Sequence, residues 1–448
     1  MPTLDLNFIA QTFQAALNRP NAPVSRIVTD SRDIQAGDVF FALKGERFDA
    51  HDFVDEVLRR GALLCVVSRE DCAHKAGCLK VADTERALGK LAQAWRMALQ
   101  PTVLAITGSS GKTTLKEMTA AVLRHAFGAE AVLATQGNLN NHIGLPLTLL
   151  RLRAAHRFAV VEAGMNHAGE LAYLTAIARP NTALINNALH AHIGCGFDGV
   201  ADIARAKSEL YQGLADDGLA IFPCEDAHAA IFQAASSNRR QRTFGIERGD
   251  VHAEQIVLHP TAVDFDLVIG AERARVKLPA PGRHNVHNAL AAAALCMDFL
   301  GAAQIAAGLR DYRPSGSRLK MVQAACGARV IDDSYNANPD SMKAAVDVLA
   351  AFDAPRVLVM GDMGELGAAA ADLHRQIGVY AREKSIEYGF FLGEQAALAA
   401  AAFGEKGQHF TDKTALTKAL QTLIDSDSAI LVKGSRFMKM EEVVQALL

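Results

Sequence analysis

The chain has 448 residues, of which 50% are hydrophobic and 21% are charged, and its formal net charge is −3. This composition excludes a disordered chain, and the length predicts about three domains at roughly 150 residues each. The small negative charge gives no general attraction to nucleic acid or to an anionic membrane, so any anionic ligand has to be held locally.

The N-terminal stretch MPTLDLNFIAQTFQAALNRP has neither a basic start nor a long apolar run, which argues against a signal peptide. No apolar run free of charge reaches the roughly 18 residues that a membrane span needs. The seven cysteines are scattered and form no Cys-x-x-Cys pair. We therefore expect free thiols, a cytoplasmic location and no transmembrane segment.

Three stretches of the chain differ in their pattern of predicted elements. Short apolar strands precede Pro101, whereas from TVLAIT onward strands alternate with amphipathic helices, as in a mostly parallel sheet covered by helices. Within the second stretch, VDFDLVI alternates with period two and predicts an antiparallel strand over residues 263–269. A break at DYRPSGSR precedes a third stretch of alternating strands and helices. We predict an α/β fold with three domains, residues 1–101, 102–313 and 314–448.

AITGSSGKTT, residues 105–114, joins a predicted strand to the predicted helix GKTTLKEMTAAVLRHAFG. Such a Gly-rich turn directs backbone N–H groups and the positive end of the helix dipole at an anion. Ile106 stands where the standard phosphate loop has a glycine, so we assign Ile106 to the strand and begin the turn at Gly108. Lys112 would then reach the outer phosphates of a nucleotide, and the Thr113 hydroxyl would bind Mg²⁺. The alternative is an ordinary turn with a surface lysine.

Lys207 stands on an apolar stripe. In ADIARAKSELYQGL, Ile203, Leu210 and Leu214 fall on one face of a predicted helix, and Lys207 shares that face. Composition alone favours a lysine whose stem lies along the surface while its ammonium reaches water. The functional alternative is a desolvated lysine with a lowered pKa, whose neutral amine acts as a nucleophile or is carbamylated by CO₂. A carbamate is an anionic oxygen ligand that suits Mg²⁺.

Polar residues also follow the next predicted strands. Glu162 lies near the end of the strand in FAVVEAG, where a carboxylate can hold a nucleotide-bound metal at the edge of an open sheet, unless it caps the next helix. His190 and His192 follow the strand after that. A structural histidine is the more common case, and no further Cys or His has the spacing of a zinc site.

Asparagines cluster in two places. TQGNLNNHIGLP carries Asn138, Asn140 and Asn141 between two glycines, which indicates either turns or a loop that binds a polar substrate. In PGRHNVHNALAAAAL, Asn285 and Asn288 share a helix face. An N-cap role would explain Asn285 but not Asn288, which lies inside the predicted helix.

Charged residues mark the third stretch. Asp332 and Asp333 end a predicted strand in VIDDSYNANPDSM, and Arg318 lies in SGSRLKM at a predicted domain junction. Without context, Arg318 is best explained as a solvated surface residue.

Taken together, these stretches resemble the Mur ligase family, the ATP-dependent amide-forming enzymes of peptidoglycan precursor synthesis. The resemblance covers essentially the whole chain, and the motifs, each weak alone, are specific in their shared order. They are AITGSSGKTT, TQGNLNNHIGLP, VEAGMNHAGEL, NNALHAHIG, IARAKSEL, GRHNVHNALAAAA, SGSR, DDSYNANPDSM, MGDMGELG and LVKGSR.

Within the family, DDSYNANPDSM and the terminal KGSR are similar to the branch that adds D-alanyl-D-alanine to UDP-MurNAc-tripeptide through an acyl phosphate. The Asp-Asn-Pro-Arg motif usual in the third-residue ligase does not occur. TDSRDIQAGDVFFALKGERFDAHDF is similar to the UDP-sugar-binding domain that these two ligases share. The resemblance implies an N-terminal UDP-binding domain, a central P-loop ATPase-like domain and a C-terminal Rossmann-like domain. It also implies ATP and two Mg²⁺ ions, and we expect a monomer.

The resemblance assigns roles to individual residues. Lys112, Lys207 and His192 would be catalytic. Thr113, Glu162, His192 and a carbamylated Lys207 would hold Mg²⁺. The nucleotide would contact Gly108, Ser109, Ser110, Gly111, Lys112, Thr113, Thr114, Asn285, Asn288, Arg318 and Asp333. The other substrates would contact Ser31, Asn138, Asn140, Asn141 and Asn336. Closure of the third domain onto ATP would complete the site.

Three other interpretations stay open at this point. The first is another amide ligase of the same superfamily, such as the third-residue ligase or a polyglutamate-type synthetase. The second is a P-loop ATPase or kinase that forms no amide, and the third is a nucleotide-binding module without catalysis.

Overall fold

The computed structural model describes residues 2–17, 19–190, 193–194, 196–314, 316–353 and 355–448. The chain packs into two compact units. One contains residues 1–106, 127–183 and 209–219, and the other contains residues 107–126, 184–208 and 220–448. Among the described residues, none of the helices has both the length and the apolar composition that crossing a bilayer requires.

The N-terminal part of the first unit is a small sheet with covering helices. Its elements are α1 (Leu6–Phe13), β1 (Ile27–Val28), β2 (Val39–Phe41), α2 (Val54–Arg59), β3 (Leu64–Val67), α3 (Glu70–Ala73), β4 (Cys78–Lys80) and α4 (Thr84–Leu99). The four strands are parallel and follow the order β1-β2-β3-β4. Phe40, Val54, Val57 and Val67 belong to its apolar core.

Strands and helices then alternate as the sequence predicts. They are β5 (Thr102–Thr107), α5 (Lys112–Phe127), β6 (Val132–Ala134), α6 (Gly144–Leu149), β7 (Phe158–Glu162), α7 (Glu170–Ala178), β8 (Thr182–Ile185), α8 (Val200–Ser208), β9 (Leu219–Pro223), α9 (Ala229–Ala235), β10 (Arg240–Phe244), β11 (Val251–Leu258), β12 (Val263–Ile269), β13 (Glu272–Leu278), α10 (Arg283–Cys296) and α11 (Ala302–Arg310). The strand order is β13-β12-β11-β10-β9-β8-β5-β7-β6. Strands β5, β7 and β6 are parallel, with Ile106 opposite Glu162.

The antiparallel strand predicted over residues 263–269 is confirmed. β12 covers these residues and pairs in antiparallel register with β11 and β13. Val263, Phe265 and Leu267 are buried, whereas Asp264 and Asp266 between them are partly exposed. The period-two pattern therefore reflects a strand with one buried face.

The C-terminal part of the second unit has its own sheet. Its elements are β14 (Lys320–Gln323), β15 (Arg329–Asp333), α12 (Pro339–Ala350), β16 (Arg356–Gly361), α13 (Ala370–Glu383), β17 (Tyr388–Leu392), α14 (Ala396–Phe403), β18 (Gly407–Phe410), α15 (Lys413–Leu423), β19 (Ala429–Lys433) and α16 (Glu441–Leu447). The strand order is β14-β15-β19-β16-β17-β18, and only the β14–β15 pair is antiparallel.

Both faces of this C-terminal sheet are buried. Ile331 and Leu431 belong to one apolar cluster, and their strand neighbours Val330 and Ile430 belong to another. Alternate residues of a strand point to opposite faces, so each face packs its own layer of helices. The predicted α/β fold class is confirmed, while the domain boundaries at residues 101 and 313 stay predictions.

One predicted helix is shorter than expected. Helix α8 ends at Ser208, and a 3₁₀ turn over Glu209–Gly213 follows it, whereas ADIARAKSELYQGL predicted one continuous helix. The Leu210 carbonyl accepts a hydrogen bond of 2.8 Å from the Thr175 hydroxyl, and the Glu209 carboxylate accepts one from the Gly169 N–H. These long-range contacts replace the helical hydrogen bonds that the local pattern favours.

Candidate active site

The turn between β5 and α5 has the form predicted for a phosphate loop. β5 ends at Thr107 and α5 begins at Lys112. Ile106 is fully buried within β5, so the prediction that it belongs to the strand is confirmed. Because the first backbone N–H groups of a helix have no partner within the helix, the N-terminus of α5 can hold an anion.

Two adjacent asparagines after β8 hold this turn. The Ser110 carbonyl accepts hydrogen bonds from Nδ2 of Asn186 at 3.0 Å and from Nδ2 of Asn187 at 3.1 Å. The Ser110 N–H donates to Oδ1 of Asn187 at 2.9 Å, and the Ser109 N–H donates to the Asn187 carbonyl at 3.1 Å. The sequence analysis did not single out these two residues. They open the motif NNALHAHIG, which was used only for the family resemblance and gave the two amides no role of their own.

Gly111 is required by both backbone conformation and space. Its φ is +78°, and a Cβ at this position would lie 2.5 Å from Oδ1 of Asn288 and 2.8 Å from Nδ2 of Asn186. Only glycine adopts such a conformation at no steric cost. The close approach brings the turn against the amides that hold it.

Lys112 and Lys207 are the two lysines of this site. Lys112 donates from Nζ to the Gly108 carbonyl at 2.8 Å. Lys207 is only 1% exposed, so the alternative of a lysine whose ammonium reaches water is wrong. Burial lowers the pKa of Lys207 well below its ordinary value, and the charge of Lys112 lowers it further. Within the described parts of the chain, no carboxylate forms an ion pair with the Lys207 ammonium.

Asn285 and Asn288 lie on α10 and continue the amide contacts behind the turn. Asn186 donates from Nδ2 to Oδ1 of Asn288 at 3.0 Å, and Asn288 donates from Nδ2 to Oδ1 of Asn285 at 3.2 Å. Asn285 in turn donates to the Pro281 carbonyl at 2.7 Å. The N-cap of α10 is Gly282, so the N-cap explanation of Asn285 is wrong. Both asparagines are buried, and their polar groups face other amides.

The C-terminal part of the second unit contacts the same region. Asn338, the N-cap of α12, donates from Nδ2 to the Ser110 hydroxyl at 2.8 Å. The His190 N–H donates to Oδ2 of Asp340 at 3.0 Å. Asn338 therefore reaches the turn before α5 directly, a contact between residues 228 positions apart that sequence inspection did not detect.

The predicted nucleotide contacts of the C-terminal part lie around β15 and β19. Lys433 donates from Nζ to Oδ2 of Asp333 at 2.5 Å and to the Asn336 carbonyl at 2.8 Å. The Arg318 guanidinium carbon lies 4.0 Å from the centroid of the Tyr335 ring, which is the geometry of a cation–π contact. These contacts place Arg318, Asp333 and Asn336 in one small region of the second unit.

Glu162 lies at the end of β7 in the first unit. It is 2% exposed, and its Oε1 accepts a hydrogen bond of 2.7 Å from Nδ2 of Asn140. The N-cap of α7 is Gly169, so the alternative that Glu162 caps that helix is wrong. A buried carboxylate with one oxygen oriented by an amide is a suitable donor for a hard cation.

The remaining predicted substrate contacts also belong to the first unit. Asn141 accepts hydrogen bonds through Oδ1 from the N–H groups of Ile143 and Gly144, so its amide stabilises a turn. Asn138 is exposed, and its carbonyl accepts from the Asn140 N–H at 2.7 Å. Ser31 begins a short 3₁₀ helix and is partly exposed.

His192 lies outside the described residues, so its predicted role as a catalytic residue and metal ligand stays a prediction. Across the residues that the structure does describe, no group of three or more His, Cys, Asp or Glu side chains could hold a metal ion by itself.

Three family models match successive stretches of the chain. "Mur ligase family, catalytic domain" matches residues 23–96, "Mur ligase middle domain" matches residues 106–296, and "Mur ligase, glutamate ligase domain" matches residues 317–436. Together they cover the two strand–helix regions and the small N-terminal sheet.

Two curated relatives carry the name UDP-N-acetylmuramoyl-tripeptide–D-alanyl-D-alanine ligase. The chain is 43% identical over 449 residues to that of Haemophilus influenzae, covering 98% of this chain and 97% of the relative. It is 42% identical over 456 residues to that of Escherichia coli, covering 100% and 99%. The match therefore extends over the full length of both relatives.

Solved structures agree with these relatives. A crystal structure of MurF from Acinetobacter baumannii superposes with a TM-score of 0.93 at 38% identity, covering 100% of this chain and 99% of that one. MurF ligase from Thermotoga maritima, in complex with ADP, gives a TM-score of 0.83 at 26% identity, covering 94% and 96%. The chain therefore belongs to the Mur ligase family.

Proposed function

We propose that this chain is an ATP-dependent amide ligase that joins D-alanyl-D-alanine to UDP-N-acetylmuramoyl-tripeptide. The observation that carries this proposal is the full-length likeness to ligases of that name at 43% and 42% identity. The phosphate loop at the N-terminus of α5 supports the use of ATP, as does the ADP in the Thermotoga structure. The product would be UDP-MurNAc-pentapeptide, a peptidoglycan precursor, which connects the chain to cell-wall synthesis, cell shape and cell division.

The reaction takes place in two steps. A carboxylate oxygen of the tripeptide attacks the γ-phosphorus of ATP, the bond to the β-phosphate oxygen breaks, and an acyl phosphate and ADP form. The free amine of D-alanyl-D-alanine then attacks the acyl carbon, inorganic phosphate leaves with its electron pair, and the amine releases a proton. The protein contributes mainly by positioning the reactants and neutralising charge.

The second unit would hold the nucleotide. Lys112 would exchange its hydrogen bond to the Gly108 carbonyl for the β- and γ-phosphates. The N–H groups of Gly111, Lys112, Thr113 and Thr114 would surround the phosphates, while those of Ser109 and Ser110 already donate to Asn187. Other proposed nucleotide contacts are Gly108, Asn285, Asn288, Arg318 and Asp333.

Each unit, taken by itself, offers a ligand type that suits Mg²⁺. In the second unit Thr113 offers a buried hydroxyl to a nucleotide-bound ion, which would complete its coordination with phosphates and water. In the first unit Glu162 offers a buried carboxylate. When bound, Mg²⁺ would neutralise charge on the transferred phosphoryl group. His192 and a carbamylated Lys207 would hold or tune a second ion.

Three features support carbamylation of Lys207. The side chain is buried, its pKa is lowered, and in the described part of the chain it lacks an acidic partner. A neutral amine can add to CO₂ and release one proton, which converts the neutral Lys207 side chain into an anionic carbamate beside Lys112. That change would place an attractive negative charge next to the Lys112 ammonium.

The first unit would hold much of the sugar-peptide substrate. Ser31 would contact the uridine diphosphate, and Asn138, Asn140 and Asn141 would contact polar groups of the acceptor. Asn336, in the second unit, stays a separate proposed substrate contact. The nucleotide-linked substrate and ATP are both cytoplasmic metabolites, which supports a cytoplasmic location. We propose that the chain acts as a monomer.

The test is an acceptor-dependent assay of ADP release. The chain receives MgATP and UDP-MurNAc-tripeptide with D-alanyl-D-alanine, meso-diaminopimelate, L-lysine or L-glutamate, and mass spectrometry identifies the product. We expect ADP release only with D-alanyl-D-alanine. Turnover with another amine would favour a different ligase of this family, and ADP release without any amine would favour a simple ATPase.

A lysine pair provides the internal control. Lys112→Ala should lower kcat/KM by about 10²-fold or more, because it removes a cation from the phosphates, without unfolding the chain. Lys418→Ala, on the exposed face of α15, should leave activity unchanged. Full activity in Lys112→Ala would refute the phosphate-binding role of this lysine.

A further inference from the structure

The backbone of Ser110 is fixed from one side by three hydrogen bonds to two amides. The Ser110 carbonyl accepts from Asn186 at 3.0 Å and from Asn187 at 3.1 Å, and the Ser110 N–H donates to Oδ1 of Asn187 at 2.9 Å. Asn187 thus pairs with both backbone groups of Ser110, as a neighbouring strand would. We refer to Asn186 and Asn187 as the amide clamp.

The clamp determines which backbone groups face a ligand. In a trans peptide the C=O and the following N–H point in opposite directions. Because the Ser110 carbonyl points at the clamp, the Gly111 N–H points away from it, on the side of the α5 N-terminus. The Ser109 and Ser110 N–H groups donate to Asn187, so they are occupied. The N–H groups that remain for an anion begin at Gly111.

Asn186 is itself fixed by a directional chain of amides. It is fully buried, and its Nδ2 donates to both the Ser110 carbonyl and Oδ1 of Asn288. The chain continues from Asn288 to Asn285 at 3.2 Å and from Asn285 to the Pro281 carbonyl at 2.7 Å. Each amide donates to the next, so a flip of one carboxamide would break two hydrogen bonds.

Within the described residues, the other end of the Asn186 amide is unpaired. Its Oδ1 is buried and is among the side-chain atoms without a hydrogen-bond partner in the described chain. Leaving a buried acceptor unpaired costs about 1–3 kcal/mol. In this part of the chain the side-chain hydrogen bonds of Asn186 are therefore all made through Nδ2, to the loop and to Asn288.

We propose that Asn186 and Asn187 are positioning residues of the phosphate loop. They touch the loop and not the nucleotide, and they hold the Ser110–Gly111 peptide so that its N–H faces the phosphates. This inference rests on the ATP-binding part of the proposed function and is independent of which amine is the acceptor.

The test measures ADP binding directly, without the ligation reaction. Isothermal titration calorimetry with MgADP compares the wild-type chain with Asn187→Ala and Asn186→Ala. We expect the Kd for ADP to rise about tenfold in each, because each variant releases the Ser110 carbonyl from one donor. In steady-state assays KM for ATP should rise, while KM for the tripeptide and for D-alanyl-D-alanine stays within about twofold.

Asn181 is a matched control, because it directly precedes strand β8 whereas Asn186 and Asn187 directly follow that strand. Asn181 accepts a hydrogen bond of 2.9 Å from the Val103 N–H, so Asn181→Ala also removes a carboxamide that holds backbone. It should lower the melting temperature but leave the Kd for ADP unchanged. If the clamp variants lose only thermal stability and bind ADP like Asn181→Ala, the positioning role is wrong.

A conservative variant keeps the test informative if an alanine variant unfolds. Asn187→Ser retains one hydroxyl donor, so its ADP affinity should fall between those of the wild-type and alanine chains. Equal affinity in the wild-type, serine and alanine chains would overturn the proposal. A wild-type chain that binds ADP but forms no amide would reject the proposed ligase function and leave the clamp intact.

Discussion

Lys433 donates a hydrogen bond of 2.5 Å to Asp333, and the two residues are register partners at the ends of the parallel strands β19 and β15. Their side chains are 4% and 14% exposed, so the pair lies largely out of water. Lys433 also donates to the Asn336 carbonyl at 2.8 Å. The lysine therefore orients two residues that we assign to ligand binding.

Removing one partner of this pair should be strongly destabilising. Lys433→Met leaves the Asp333 carboxylate buried without its cation, so we expect the free energy of unfolding to fall by about 3–5 kcal/mol. Urea denaturation followed by circular dichroism measures the change. Lys413→Met is the control, because Lys413 pairs with Glu442 at 2.7 Å with side chains 30% and 52% exposed, and such pairs contribute about 0–1 kcal/mol. If the two variants lost equal free energies of unfolding, the prediction that a buried ion pair matters more than an exposed one would be wrong.

The two ends of α5 provide a matched glycine pair. Gly111 and Gly128 have φ of +78° and +88°, so alanine at either position costs about 1–2 kcal/mol in backbone strain. A Cβ at Gly111 would also meet Asn288 at 2.5 Å, whereas one at Gly128 meets nothing within 4 Å. We expect both variants to lose stability but only Gly111→Ala to lose ATP turnover. If both variants lost ATP turnover at the same temperature, the loss would be due to reduced stability and not to the position of Gly111 in the site.

Local signals were sufficient for the elements that carry the phosphate loop. The turn at Gly108 and the helix up to Phe127 follow from a Gly-rich stretch between an apolar strand and an amphipathic helix, which are properties of neighbouring residues. The strand over residues 263–269 was likewise predicted from neighbouring residues alone, by their alternation of apolar and polar side chains. The burial of Lys207 was one of two open alternatives, because a stripe shows which face a residue shares but not how deeply that face is covered.

Long-range contacts account for what the sequence did not reveal. Asn186 and Ser110 are 76 positions apart, and Lys433 and Asp333 are 100 positions apart. No periodicity links such positions, so the clamp and the ion pair emerge only when the sheet brings strand ends together. The early end of α8 has the same origin, since Thr175 competes for the Leu210 carbonyl.

His284 should make stability depend on pH. Burial lowers the pKa of His284 from 6.5 to about 4, and the charge of Lys433 adds to this effect. Between these two pKa values the unfolded chain binds more protons at His284 than the folded chain does. The free energy of unfolding is therefore not reduced by His284 above about pH 6.5, and it declines as pH falls from there toward 4. Unfolding free energies across this range should decline less steeply in His284→Gln. His74→Gln, at an 84% exposed site, should retain the wild-type slope, and a wild-type slope in His284→Gln would contradict the assignment.

Lys207 should also make the free energy of unfolding depend on pH, in a range that extends above neutral pH. Burial and then the charge of Lys112 lower the pKa of Lys207 well below 10.5, so below that pH the unfolded chain binds more protons at this lysine than the folded chain. The Lys207 contribution to stability therefore rises with pH up to about 10.5. In CO₂-free buffer, Lys207→Met should be more stable than the wild-type chain near neutral pH, and the difference should shrink as pH rises.

Bicarbonate separates a bare amine from a carbamate at this position. At about pH 8, bicarbonate should stabilise the wild-type chain, because carbamylation of the neutral Lys207 amine places an anion beside Lys112. Lys207→Met should not respond, and Lys418→Met, which changes an exposed lysine, should respond like the wild-type chain. Lys207→Ala should lack ligase activity and recover part of it with added short carboxylates. A wild-type chain that is fully active but indifferent to bicarbonate, with a bare amine in a liganded crystal structure, would refute carbamylation.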